Sequence, residues 1–364
     1  MKYLCFILSL LVCPVRAEVF TLVQFGDVHS DFGFVTQQQY ATNVVPWILQ
    51  HTNDGTLNIR GAILAGDCFE STKNPLPTND SPAGIYHTYQ LTNNLNTLAT
   101  NGLLTFVAPG NHDCDHTNAT DDYCIGPATN FFNTIFPPPL FTNQAYYVTS
   151  CVAGDNKMMV MKRTIGNIKL LIVSGTPIPG TNGPSDYLAR YANSTAWISN
   201  QIASNPDYNA IVVDHYMLNT NGVPSVDIGV TSGYTYSYPG DARLLQGLLN
   251  LPNLFLFVSG HNRAYMKGCW RTNGVDGHRV YVTTFNTQAQ GSSRNMDYVN
   301  LFTFDTARST MRNRTYCIST GLYLSDYDVA NDQFGSLISQ PQGFEHNPPE
   351  LPLPARPPVY LMRR

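Results

Sequence analysis

The stretch Leu103-Leu104-Thr105-Phe106-Val107-Ala108-Pro109-Gly110-Asn111-His112-Asp113 decides the fold. A short, mostly apolar run without alternation stops at a proline–glycine break and a cluster of polar side chains. Such a run suits a strand buried on both faces, as in a sheet covered by helices. The polar cluster then lies where the loops of an open α/β sheet converge on one crevice.

Outward from this stretch the same punctuation recurs. Val19–Phe25 runs into Gly26-Asp27-Val28-His29, and Ala62–Ala65 into Gly66-Asp67. Further on, Ile168–Val173 ends at Ser174-Gly175, Ala210–Val213 at Asp214-His215, and Leu254–Val258 at Ser259-Gly260-His261. Thr36–Thr52 and Tyr86–Thr100 are predicted helices between the first three strands, and Ser185–Ala203 precedes the strand ending at Asp214. Strands alternating with helices imply βαβ units, an α/β class and a largely parallel sheet. Val280–Phe285 and Val299–Phe304 add β structure near the end and predict a second sheet. Residues 329–364 are rich in proline (Pro348, Pro349, Pro352, Pro354, Pro357, Pro358) and read as an extended or disordered tail behind a single domain, 18–328.

Composition narrows the partners. Hydrophobic residues make up 43% and charged residues 13%, enough to bury a substantial core. A net charge of −4 with no basic run gives no reason to expect nucleic acid. It leaves phosphorylated ligands open, because a bound metal can bring the positive charge. Lys2, the apolar run Tyr3–Val12 and Val15-Arg16-Ala17 read as a secretory signal, residues 1–17, with the mature chain beginning near Glu18. That run is too short to span a bilayer, and the C-terminal end is unsuited to a lipid anchor. The expected location is extracellular or the endomembrane lumen. Six cysteines remain after the signal (Cys68, Cys114, Cys124, Cys151, Cys269, Cys317), and in an oxidising compartment disulfides are expected. Cys114–Cys124 and Cys269–Cys317 are the favoured pairs, with Cys68 stiffening its loop through a bridge. Sequons at Asn79, Asn118, Asn193 and Asn313 are candidate glycan sites. Oligomeric state is not set by the sequence.

The chemistry gathers at the strand ends. Asp27, His29, Asp67, Asn111, His215 and His261 each stand within a few residues of one. Any one of them alone reads as a turn former or cap. Six oxygen or imidazole donors at equivalent places read as a divalent metal site, suited to Zn, Mn or Fe, and the lack of thiolates argues against a purely structural zinc. Two such ions, roughly 3.5–4 Å apart, can share a carboxylate and clamp phosphoryl oxygens.

Gly26-Asp27-x-His29, Gly66-Asp67, Gly110-Asn111-His112-Asp113, His215 and Gly260-His261, in this order over residues 20–285, resemble the motif series of the calcineurin-like metallophosphoesterases. His215-Tyr216, with Trp197 on the preceding helix, is similar to the acid-phosphatase branch. The resemblance implies a four-layer α/β/β/α sandwich of two mixed sheets flanked by helices. It also implies roles. Asp27 and His29 hold a first metal, Asp67 bridges, and Asn111, His215 and His261 hold a second. His112, oriented by Asp113, assists catalysis at the substrate, where a histidine near its ordinary pKa can donate a proton. The implied activity is hydrolysis of phosphate esters by metal-activated hydroxide, monoesters favoured over diesters, on phosphorylated small molecules or phosphoproteins.

Two departures qualify it. The family motif ends Gly-His-x-His, whereas Gly260-His261-Asn262-Arg263 places an arginine that cannot ligate a metal. Its fork suits substrate phosphate oxygens instead. The first metal then keeps Asp27, His29 and Asp67, unless water or His278 completes it. A weakly held first metal, a one-metal enzyme and a catalytically degenerate secreted binding protein all follow from that one substitution. The second departure is Glu70, where the purple acid phosphatases carry a tyrosinate ligand; no purple iron centre is expected.

Overall fold

The computed structural model describes residues 18–28, 40–68, 82–110, 113, 131–175, 187–218, 242–261, 267–286, 297–308, 310–323 and 333–334. In chain order, the first part gives β1 (Val19–Phe25), α1 (Val45–Gln50), β2 (Ile59–Ala65), α2 (Pro82–Thr100), β3 (Leu104–Ala108), α3 (Phe131–Ile135) and α4 (Pro138–Thr142). A single π-helical turn, Tyr40–Val44, leads into α1. The second part gives β4 (Tyr147–Val152), β5 (Asp155–Ile165), β6 (Ile168–Ser174), α5 (Tyr187–Ala203), β7 (Asn209–Val213), α6 (Ala242–Leu248) and β8 (Leu254–Ser259). The chain then adds β9 (Lys267–Asn273), β10 (Arg279–Phe285), β11 (Tyr298–Asp305), β12 (Thr310–Cys317), β13 (Leu322–Tyr323) and β14 (Gln333–Phe334).

These strands form two seven-stranded sheets. The first runs β13-β12-β11-β1-β2-β3, with β14 beside β12, and the second β4-β5-β6-β7-β8-β10-β9. The fold is therefore α/β with two mixed sheets. The parallel centres are β1-β2-β3 and β6-β7-β8-β10, and all of these strands except β10 are runs that the sequence marks as buried on both faces. The largely parallel sheet expected from the alternation is corrected at the flanks, where β4, β5, β9, β11 and β12 pair antiparallel. Antiparallel neighbours need only a short turn, not a crossover helix. Between β5 and β6 the turn is Gly166-Asn167, with Gly166 at φ +59°, a conformation that glycine adopts at no steric cost. Val280–Phe285 and Val299–Phe304 do not share a sheet. β10 closes on β8, whereas β11 returns to β1, with Val19 opposite Asp305 and Gln24 opposite Asn300.

Side-chain parity in the second sheet shows which face meets what. Met159, Met161, Leu170, Ile172, Ile211, Val213, Leu256 and Val258 belong to one apolar cluster with the first sheet and α1 to α4. Their alternates, Met158, Val160, Leu171, Val173, Ala210, Val212 and Phe257, pack with Ile198 and Ile202 of α5 and Leu244, Leu245 and Leu248 of α6. A register shift puts Leu254 opposite Ala210 but Leu256 opposite Ile211, so Phe255 and Leu256 both join the first cluster. Across β1 and β11, Phe20 stacks on Phe304 with ring centroids 4.7 Å apart. Such a cross-strand aromatic pair is worth about 0.5–1.5 kcal/mol beyond its area burial.

Cys317 is a thiol, its Sγ 3.4 Å from Ser319 Oγ, so the expected Cys269–Cys317 bridge is not formed. Cys68 is fully buried in the loop after β2. Cys114 and Cys124 lie outside the described residues, as do the signal-like segment, Asn79 and Asn118. Asn193 is exposed on α5, whereas Asn313 is buried in β12. Gln333-Phe334, within the proline-rich tail, pairs with Arg312 and Met311. Among the described residues, no helix is long and apolar enough to cross a membrane.

Candidate metal centre

The site lies at the carboxyl ends of β1, β2, β3, β7, β8 and β10, where loops of both sheets meet. Three residues just past these ends, Asp27, Asp67 and His261, take φ of 53°, 51° and 65°. Non-glycine residues seldom occupy this left-handed region, and strain of order 1–3 kcal/mol persists there only where the surroundings over-determine it. The surroundings here are loop-to-loop hydrogen bonds. Asp27 N–H donates to Gly66 O (3.0 Å), and Gly260 N–H donates to His215 O (2.8 Å). His261 N–H donates to Asp27 Oδ2 (2.9 Å) and Oδ1 (3.1 Å), tying the second sheet to the first. Gln24 Nε2 donates to Ser259 O (2.7 Å) beneath them.

The glycines of the motifs permit this crowding. A methyl group on Gly66, itself at φ +88°, would fall 2.5 Å from His215 Nδ1 and 2.7 Å from Gly110 Cα. Loops carrying larger residues could not approach so closely.

His215 is 4% exposed. Its Nδ1 lies 2.7 Å from Ala65 O, a contact that assigns the Nδ1 proton, since a carbonyl can only accept. Nε2 is then directed at Asp67 Oδ2, 3.0 Å away, and at His261 Nδ1, 3.2 Å away. A backbone carbonyl on the far ring nitrogen is the usual support of a metal-ligating histidine. His261 is further packed by Tyr216, ring centroids 4.6 Å apart. Ligand atoms of Asp67, His215 and His261 all lie within 4.8 Å of one another, a group that could hold a metal ion.

Electrostatics agree with a cation. Asp27 and Asp67 are 1% and 2% exposed, and buried carboxylates are costly unless paired. Burial by itself lowers the His215 pKa, but the charges of Asp67 and Asp27 outweigh it and raise the value from 6.5 to about 10. A proton on His215 thus does electrostatically what a metal ion would do there. The Cys68 thiol is pushed well above its ordinary value by burial and then by Asp113, Asp67 and Asp27, which disfavours a thiolate.

Of the residues singled out from the sequence, Asp27, Asp67, Asp113, His215 and His261 come together here; His29, Asn111, His112 and Arg263 lie outside the described residues. Asp113 is fully buried, and its two oxygens accept from Gly110 N–H and Cys68 N–H, both at 2.7 Å. In these contacts it clamps the loop after β3 to the loop after β2. His278 is corrected as a candidate ligand. It precedes β10 and pairs with Asp276, at the opposite end of that strand from the site. One residue was missed. Asn286, 0% exposed, donates from Nδ2 to Asp27 Oδ1 at 2.9 Å. It follows β10 as Asp27 follows β1, but without the glycine that precedes Asp27.

Compared with known proteins, the chain matches no family model and no curated protein.

Proposed function

We propose that this chain is an exported, metal-dependent phosphoester hydrolase of the calcineurin-like type, acting on monoesters in preference to diesters. The observation that carries this is the convergence of Asp67, His215 and His261 from loops of two different sheets. The four-layer α/β/β/α arrangement belongs to the same proposal. It is supported by the parity of the second sheet, one face clustering with the first sheet and the other with α5 and α6.

In this reading Asp67, His215 and His261, joined by Asn111, would hold a divalent Zn, Mn or Fe ion, and Asp27 with His29 and Asp67 would offer a second, weaker place. When bound, such an ion polarises a phosphoryl oxygen and lowers the pKa of water. The chain's own groups do the rest. His215, its tautomer fixed by Ala65 O, presents the lone pair of Nε2 to the site. Asp113 fixes the loop that carries His112, and His112 protonates the leaving oxygen. Arg263, two residues beyond His261, forks onto the phosphate oxygens.

The test is turnover of an aryl phosphate monoester and diester by the secreted chain, stripped of metal and reloaded with Zn, Mn or Fe(II). Metal-dependent hydrolysis that disappears in Asp67→Asn is expected. Folded protein that turns over neither ester with any metal would refute it. Arg263 favours a second reading, a binding protein that kept the fold and lost the chemistry. Phosphate binding without turnover, with activity appearing in Arg263→His, would establish that alternative.

A further inference from the structure

We propose that Asn286 is a positioning residue of the cation site, acting through Asp27 on His261, an inference that rests on the cation-binding reading above. The geometry centres on one peptide unit, Gly260–His261. Its carbonyl accepts from Thr284 Oγ1 at 2.7 Å, and its N–H donates to both oxygens of Asp27. The peptide plane is thus held from both sides, which keeps His261 at φ 65° and its ring beside His215.

That grip depends on the orientation of the Asp27 carboxylate, and Asn286 fixes it by donating to Oδ1. Asn286 and Thr284 are both fully buried and two residues apart at the end of β10, one gripping Asp27 and the other Gly260. An amide is the suitable group. It donates to the carboxylate without adding charge, whereas a carboxylate in its place would repel Asp27. Removing the donor lets the Asp27 carboxylate rotate, releases the His261 N–H and allows the strained His261 backbone to relax. The imidazole then leaves its place in the ligand group.

Hydrogen-bonded partners of ligand groups typically change metal affinity by about 10–100-fold when removed. The experiment uses the full chain, stripped of metal, with Asn286→Leu, which keeps the volume but not the donor, and Asn286→Ala. Mn2+ affinity is measured by calorimetry, and Co2+ is titrated by visible absorption, whose band shape reports ligand geometry. Melting of each metal-free protein is the control. Expected are affinities about 10–100-fold weaker in both variants, an altered Co2+ spectrum, and metal-free melting within a few degrees of the parent. Parent protein that binds neither ion refutes the cation-binding reading and this inference with it. Parent protein that binds, with variants within about twofold and an unchanged Co2+ spectrum, refutes the inference alone. Variants that have lost cooperative melting would show Asn286 to be a core residue and would also overturn it.

Discussion

Gly66→Ala tests whether the close approach of the loops builds the site. Two separate penalties meet at this position. The φ of +88° strains any residue with a Cβ, by about 1–2 kcal/mol. The new methyl also falls 2.5 Å from His215 Nδ1 and 2.7 Å from both Gly110 N and Gly110 Cα. Two of those atoms are backbone and the third is a buried ring, so overpacking adds about 1–3 kcal/mol. The stiffer unfolded chain returns only about 0.4–1 kcal/mol. The net expectation is a loss of about 1–5 kcal/mol, read by urea denaturation.

Gly102 and Gly110 separate the terms. Gly102 has φ +75°, and a methyl added there would meet nothing within 4 Å, so Gly102→Ala carries the strain alone, about 1 kcal/mol after the unfolded-state gain. Gly110 has no left-handed φ, and its methyl would meet Asp67, so Gly110→Ala carries the packing term alone. Because the clash at Gly66 pushes on His215, Gly66→Ala also weakens Mn2+ binding at least about tenfold, while Gly102→Ala leaves it unchanged. If Gly66→Ala costs no more than Gly102→Ala and binds Mn2+ normally, the close-approach reasoning is wrong.

Three further outcomes are expected. Asp113→Ala strands the N–H groups of Gly110 and Cys68 and costs about 2–4 kcal/mol by denaturation; a loss under about 0.5 kcal/mol would remove its clamping role. Phe304→Ala, which empties the place stacked on Phe20, lowers stability by about 3–5 kcal/mol with metal affinity unchanged, and a selective loss of affinity would contradict the layering. His215 has a folded pKa raised from 6.5 to about 10, so its protonation stabilises the metal-free protein fully below about 6.5, and this stability is lost as pH rises through about 10. Denaturation midpoints of metal-free protein should fall over that window and flatten in His215→Gln; identical profiles for the two proteins would refute it.

Much of this was legible because strands buried on both faces write themselves as apolar runs. β1 matches Val19–Phe25 end to end, and β3, β6, β7 and β8 lie within a residue or two of the expected runs. Partners across a sheet were not legible. β11 pairs with β1 from the far end of the chain, and nothing local in Val299–Phe304 names that neighbour. β5, with Met158, Met159, Met161, Lys162 and Arg163, has only Val160, Thr164 and Ile165 as β-branched residues, and it becomes a strand through pairing on both sides.

The site was legible for a different reason, and the same reason explains its one omission. Aspartate and histidine at left-handed φ are local choices that disagree with the backbone they occupy, and such disagreements are expected where function is supported by the surrounding fold. At Asp27, Asp67 and His261 the preceding glycine signals the tight turn, while the residue that carries the chemistry takes the strain. Asn286 takes none. It follows an ordinary strand without a glycine before it, and its hydrogen bond to Asp27 sets it apart from a turn residue. Ligand groups that must point into a crevice therefore mark the sequence through glycine and backbone strain, whereas a residue that orients them from within the core leaves no such mark and is found only once the side chains meet.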